Sequence, residues 1–402
     1  MINIAILGFG VVGSGTAEVL TENKAIIEER LGCEYQIRYI LDLRNFPDSP
    51  FGDLVTHDFN TILNDPEVTV VAEMMGGSHP AYDFTKACLE AGKSVVTSNK
   101  EVVSTFGVEL CQIAKEHGVR YLFEASVGGG IPVIRPMIND LSSNRIKKIS
   151  GILNGTTNYI LTSMRDNGAS FDDALREAQK LGYAEANPSA DVDGIDAARK
   201  IVILAALASG KLVDPKSIPT VGITKITLTD TKIAQAFGYT VKLIGHAKVE
   251  EDGKLTAFVS PRMVPACNPL SRIDGVFNGI LVDANMVGEV MFYGPGAGKL
   301  PTASAVVADI IDIIANRNTE VKPILWESAS TEDMADFGAY TCRRLFILKG
   351  DKSSLPACFA GAEAQEADGA CGVLCAQMSE QEAAALAKSL GDALLAAYRV
   401  LD

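Results

Sequence analysis

Apolar and polar positions alternate in blocks along the first third of the chain. Residues 2–7 (INIAIL) are a short, mostly apolar run, followed by GFGVVGSG and by TAEVLTENKAIIEERLG, which reads as a helix. Residues 35–41 (YQIRYIL) and 68–75 (VTVVAEMM) repeat the short apolar run, and each predicts a buried strand. Beyond GGSHP come PAYDFTKACLEAG (helix), SVVTSN (strand), VELCQIAKEHG (helix) and VRYLFEASV (strand). Short apolar runs alternating with amphipathic helices predict an α/β chain whose parallel sheet is doubly wound, in the Rossmann manner.

The pattern changes after Gly130. Segments 145–153, 239–249 and 255–264 predict longer strands with turn signals such as EEDGK, interrupted by the helix GIDAARKIVILAALASG, which Gly210 stops. GPGAGKLPTASAVVADIIDIIANR predicts a glycine-rich turn and a long amphipathic helix. Residues 319–339 are polar and irregular, whereas YTCRRLFIL, GVLCAQM, SEQEAAALAKSLG and LLAAYRVLD predict a small βα appendage. The expected domains are residues 1–130 (completed by 296–318), an α+β domain at 131–295, a linker at 319–339 and a tail at 340–402. No internal repeat is visible.

Composition narrows the partners. The chain has 402 residues, 47% hydrophobic and 21% charged, which suits two or three globular domains. A net charge of -14 argues against nucleic acid and anionic membranes, though not against small anions. No apolar run is long enough to cross a bilayer, and MINIAILGFG lacks the features of a signal peptide. The eight cysteines are scattered without a CxxC pair, which points to reduced thiols in the cytoplasm. Four of them, between 342 and 375, fit no zinc spacing.

The candidate chemistry sits at the ends of predicted strands. Gly8-Phe9-Gly10-Val11-Val12-Gly13 matches GxGxxG between a strand and a helix, where Gly10 lets the backbone approach a pyrophosphate and Gly13 lets helix and strand pack closely. Asp42 ends the second strand, where an acid meets the ribose of NAD; Arg44, two residues on, suits the 2′-phosphate of NADP, and the choice stays open. Lys100, in Thr97-Ser98-Asn99-Lys100, lies beyond another strand end. GYAEANPSADVDGIDAARK brings Glu185, Asp191, Asp193, Asp196 and Lys200 into one short segment. Asp193 is the expected helix cap, and Asp196 and Lys200 share a face that runs into Ile201–Leu204. A lysine beside apolar surface and a carboxylate is a candidate proton donor; the same spacing also describes an ordinary surface ion pair. Glu124-Ala-Ser-Val-Gly-Gly-Gly-Ile-Pro is either an interdomain hinge or a carbonyl-lined cation site. The four histidines are isolated, and no GxSxG, HExxH or Walker loop occurs.

Taken together, GFGVVGSG, TSNK, EASVGGGIP, ILNGTTNYIL, LGYAEANPSADVDGIDAARK and GPGAGKLPTASAVVADI resemble the homoserine dehydrogenases, in order and spacing, over about residues 2–320. The resemblance implies NAD(P)-dependent interconversion of L-homoserine and L-aspartate 4-semialdehyde, in threonine and methionine biosynthesis. It implies Lys200 and Lys100 as catalytic lysines, the first as proton donor. Glu185, Asp191 and Asp196 would hold the substrate. The cofactor set would be Gly8, Phe9, Gly10, Val12, Gly13, Asp42, Arg44, Gly76, Lys100, Gly182 and Gly298. Glu124 and the backbone of Val127, Gly129 and Ile131 would form a structural sodium site. A homodimer or higher homo-oligomer through the second domain is implied, and the tail resembles an ACT domain. Two departures stand out: Leu41 replaces a basic residue before the strand-ending acid, and residues 349–370 lack a glycine-rich ligand loop. Rival readings are another semialdehyde oxidoreductase, which if acylating would need a cysteine nucleophile, and a catalytically silent NAD-binding amino-acid sensor. Lys100, Glu185, Asp196 and Lys200 together argue against the sensor. Because every candidate residue precedes the linker, the tail is expected to be dispensable for chemistry, so that a chain ending near Asn318 keeps turnover.

Overall fold

The computed structural model describes residues 1–401. Chain contacts divide it into two units: Met1–Arg145 with Val202–Pro215 and Gly294–Ala329, and Ile146–Ile201 with Lys216–Tyr293 and Ser330–Asp402. The strands are β1 (Ile2–Leu7), β2 (Tyr35–Leu41), β3 (Val55–Thr56), β4 (Val68–Glu73), β5 (Ser94–Thr97), β6 (Tyr121–Leu122), β7 (Ile146–Ile152) and β8 (Lys211–Leu212). They continue with β9 (Tyr239–Val249), β10 (Leu255–Pro265), β11 (Phe277–Ala284), β12 (Gly288–Pro295), β13 (Glu327–Ser328), β14 (Thr341–Lys349), β15 (Glu363–Ala367), β16 (Ala370–Ser379) and β17 (Leu394–Val400).

The first unit holds a six-stranded sheet in the order β3-β2-β1-β4-β5-β6, parallel throughout. This is the doubly wound order, with the reversal between β1 and β4. Ile4 and Ile6 of β1 pack with Ala17 and Leu20 of the first helix and with Val306, Ile310, Ile313 and Ile314 of the helix Lys299–Ala315. That late helix completes the core of the early sheet. β8 and β13 form a separate parallel pair.

The second unit is built on one nine-stranded sheet, β12-β11-β7-β9-β10-β17-β14-β16-β15. β9 and β10 form a long antiparallel hairpin closed at Glu250–Lys254. Residues 340–401 are not an appendage: β17 pairs in parallel with β10, placing four tail strands in the same sheet. Within the tail the strands lie in the order fourth, first, third, second, and the helix Glu380–Leu390 joins the third to the fourth. Between the first and second, only short 3-10 turns at Lys352–Ser354 and Ala357–Phe359 stand where a helix would fit.

Candidate active site

In the first unit, β1 ends at Leu7 and the helix Val11–Glu22 starts just beyond Gly10, so the glycine loop lies at the carboxyl edge of the sheet. A Cβ on Gly13 would stand 1.9 Å from the Gly8 carbonyl oxygen, so only glycine lets helix and strand approach this closely. Beyond Gly10 the space is open within 4 Å, leaving the helix N-terminus free for an anionic group. Phe9 is buried edge-on to Phe46, and Val12 packs on the same core. Gly298 caps the helix Lys299–Ala315, and Lys299 reaches Glu18 on the first helix at 2.5 Å.

The two ribose candidates engage each other. Asp42 accepts from the Phe9 N–H at 2.8 Å and from Arg44 Nε at 2.9 Å and Nη2 at 3.0 Å. The Arg44 hydrogen bonds hold the Asp42 carboxyl down at about 2. Arg44 lies over the Phe46 ring and is 62% exposed, so its guanidinium faces the solvent side of the pair. His57, one of the isolated histidines, touches the Asp42 carbonyl oxygen at 2.7 Å. Its place at this strand end has no signal in sequence.

Lys100 opens the helix Lys100–Glu116, capped by Asn99. The Asn99 side chain donates to the carbonyls of Met75 (3.3 Å) and Gly77 (2.8 Å), which ties the TSNK turn to the turn containing Gly76. Beneath both turns sits Glu73, fully buried, accepting from Thr97 Oγ1 at 2.6 Å and from the Met75 N–H at 2.6 Å. Burial pushes its carboxyl up to about 7. Sequence reading missed Glu73; an acid ending an otherwise apolar strand was the available signal.

Glu124 is buried at the start of a 3-10 turn. Its carboxylate accepts from the N–H groups of Val133 (2.7 Å), Ile134 (2.8 Å) and Arg135 (2.7 Å), capping the short helix that follows. Gly128 and Gly129 both have positive φ, 78° and 58°, and turn the chain through the buried stretch Val127–Ile131. Among the described residues, the carbonyls of Val127, Gly129 and Ile131 accept no hydrogen bond found in the structure. A cavity of about 540 Å³ lies against this region, lined among others by Arg120, Arg135, Asp309 and Lys322. It contains no residue of the glycine loop or the TSNK turn, so it is not assigned to the dinucleotide.

In the second unit the helix Ile195–Ser209 begins directly after Gly194, whose carbonyl accepts the Ala198 N–H at 2.9 Å. The cap position therefore belongs to Gly194 rather than Asp193, which is exposed. Lys200 Nζ donates to Asp196 Oδ2 at 2.8 Å and to the Leu153 carbonyl at 2.7 Å, and both side chains are under 10% exposed (9% and 6%). The pair is therefore buried. Asn154 donates to Asp196 Oδ2 at 2.9 Å and to Asp191 Oδ1 at 2.7 Å, while its own oxygen caps the helix Gly155–Asn167. One amide thus joins ILNGTTNYIL to the acidic segment, a link that sequence reading missed because 37 and 42 positions separate the partners. Glu185 and Gly182 lie in the exposed loop after the helix Phe171–Lys180, outside this network.

Comparison with known proteins gives a consistent result. A family model described as homoserine dehydrogenase matches residues 132–311, and one described as homoserine dehydrogenase, NAD binding domain, matches residues 8–124. The homoserine dehydrogenase of Synechocystis sp. is 42% identical over 339 residues, covering 81% of this chain and 77% of that protein. The crystal structure of a homoserine dehydrogenase from Thiobacillus denitrificans aligns over 100% of this chain and 98% of its own, with TM-score 0.90 and 34% identity. A hyperthermophilic archaeal homoserine dehydrogenase mutant in complex with NADPH aligns over 80% of this chain and 99% of its own, with TM-score 0.67 and 30% identity. With the parallel nucleotide-type sheet, the glycine loop and the buried lysine–aspartate pair already in place, these matches mean that the chain belongs to the homoserine dehydrogenase family.

Proposed function

We propose that Lys200 is the proton donor in the reaction of this NAD(P)-dependent oxidoreductase, the interconversion of L-homoserine and L-aspartate 4-semialdehyde. The observation that carries the assignment is the buried ammonium held between Asp196 and the Leu153 carbonyl. Two fixed acceptors set where Nζ can point, and burial strengthens its field on a developing alkoxide. The nicotinamide cofactor, when bound, supplies hydride to the aldehyde carbon or takes it from the alcohol. Lys200 gives a proton to the aldehyde oxygen in reduction and accepts one from the hydroxyl in oxidation. Lys100 is the second candidate. Glu185 and Asp191 supply negative charge for the substrate ammonium, and Asn154 orients Asp191 and Asp196.

The dinucleotide pyrophosphate is assigned to the loop Gly8–Gly13, with Gly76, Gly182 and Gly298 as further cofactor positions. The mutual engagement of Asp42 and Arg44 supports use of both NAD and NADP. Arg44 is exposed enough to turn toward a 2′-phosphate, and Asp42 is then released toward a free ribose. A sodium ion fits the carbonyls of Val127, Gly129 and Ile131, buried oxygens for which the described residues offer no donor, with Glu124 adding negative charge. A homodimer formed through the second unit and a cytoplasmic location complete the reading; among the described residues no helix is long and apolar enough to cross a membrane. The tail is read as a degenerate ACT-like module, which its strand order supports.

The test is oxidation of NADH and of NADPH with L-aspartate 4-semialdehyde, comparing wild type with Lys200→Ala. The variant should lose at least about 10²-fold in kcat while still binding the dinucleotide. Near wild-type turnover would remove Lys200 from the mechanism.

A further inference from the structure

Three arginines stand side by side where the tail joins the rest of the second sheet. Arg262 on β10 is in register with Arg399 on β17, and Arg399 with Arg344 on β14. Cross-strand partners project to the same face, and like charges placed opposite one another are destabilising. A single carboxylate answers two of them. Glu380, the first residue of the helix Glu380–Leu390, accepts from Arg399 Nε at 2.6 Å and Nη2 at 2.8 Å, and from Arg344 Nη2. Burial works against ionisation of Glu380, but the Arg399 and Arg344 hydrogen bonds prevail and hold it below the usual range.

Arg262 is left out of this arrangement. It is 1% exposed and is among the largest fully buried side chains. Among the described residues its side-chain hydrogen bonds run through Nη2 alone, to Tyr340 Oη at 3.1 Å and the Val400 carbonyl at 2.8 Å. Among the described residues no carboxylate pairs with it, and its Nε and Nη1 have no acceptor; Arg344 Nε has none either. The rings of Phe258 and Tyr340 lie 5.5 and 5.9 Å from the guanidinium, which offsets part of the charge without satisfying an N–H group. A buried guanidinium with two orphaned donors and no counter-charge is too costly to persist without an acceptor.

We propose that Arg262, Arg344 and Arg399 form a binding site for a small oxyanion, a carboxylate or phosphate group, which accepts from Arg262 Nε and Nη1 and from Arg344 Nε. A guanidinium fork matches two oxygens of such a group. The donors themselves are enclosed, and the way in lies past Arg399 and Glu380, whose side chains are 16% and 15% exposed. Glu380 is the internal rival: it holds Arg399, on the middle strand, and Arg344, while the oxyanion takes the remaining donors of Arg262 and Arg344. Bound there, the oxyanion ties β10 to β17 and β14 and so couples the tail to the strands before it.

The full-length chain is titrated with sodium phosphate and, separately, sodium acetate in the low-millimolar range, at ionic strength held constant with sodium chloride, and Tm is recorded. Tm should rise by about 2–4 °C and saturate, since a ligand that binds only the folded state stabilises by mass action. A larger response to phosphate assigns the site to phosphate groups, and an equal or larger response to acetate assigns it to carboxylates. Glu380→Gln, which removes the competing charge, should saturate at lower anion concentration. Arg262→Met should abolish the response, and Arg344→Lys, which keeps a cation for Glu380 but loses the Nε donor, should weaken it at least several-fold and serves if Arg262→Met does not fold. A flat response overturns the proposal. So does a linear rise of equal slope in wild type and Arg344→Lys, which is general salt exclusion.

Discussion

Beneath the TSNK turn, Glu73 shows how one side chain can set the pH response of the first unit. Its folded pKa of about 7 lies above the ordinary value of 4.5, so the folded state holds this proton more tightly than the unfolded chain. The stability it contributes is complete below the unfolded value and is lost as pH rises through about 7. Glu73→Gln keeps an acceptor for Thr97 and removes this titration. Urea unfolding at about pH 5 and about pH 8 should then show a smaller fall in stability than wild type. Some slope will remain, because burial likewise pushes Asp309 up to about 7. An unchanged slope would mean that Glu73 is ionised in its site. At the other edge of the glycine loop, Arg44→Ala should weaken NADPH binding selectively, while Asp42→Ala should weaken NADH more; equal effects on both from both variants would show that neither side chain reads the ribose. That Asp196 and Lys200 share a helix face could be read from their spacing, but whether the pair is buried or on the surface could not. Asn154 could not be read, because its importance lies in partners that only the folded chain brings near, and Glu73 left only the faint signal of an acid ending an apolar strand.

Among the elements, those with strong periodicity could be read almost to the residue. β1, β2, β9 and β10 fall where apolar runs predict them, whereas VRYLFEASV keeps only Tyr121–Leu122 as strand. The remainder turns because the Glu124 carboxylate captures three N–H groups beyond Pro132, an interaction that hydrophobic pattern does not encode. β15 (EAQEA) escaped notice for a related reason. It is a partly exposed edge strand whose pairing, not its pattern, makes it a strand. The close packing at Gly13 gives a sharp prediction. In Gly13→Ala the new methyl would meet the Gly8 carbonyl, so helix and strand must separate. We expect a loss of roughly 1–3 kcal/mol in unfolding free energy together with weakened NADPH binding, read by denaturant melts and fluorescence titration. Wild-type affinity would show that the loop shifts freely.

At the scale of the whole molecule, the nine-stranded sheet reverses one expectation. Sequence placed the chemistry before residue 319 and so made the tail look separable. In the structure β17 lies between β10 and β14, and Leu401 packs with Ile152, Ile244 and Val264. Ending the chain near Asn318 would open the edge of β10 and uncover Arg262. We therefore expect the truncated chain to lose soluble yield and turnover, measured against full-length protein. A soluble, active truncation would show that β7 and β9 to β12 hold together unaided. The same arrangement has a consequence in time. Arg262 and its partner Val400 are 138 positions apart. At about 5–20 residues per second of translation, the edge of β10 waits on the order of ten seconds for the strand that covers it. For that interval the nascent chain carries an open strand with a buried-type arginine, which fast synthesis, chaperone cover or transient pairing would keep out of aggregates.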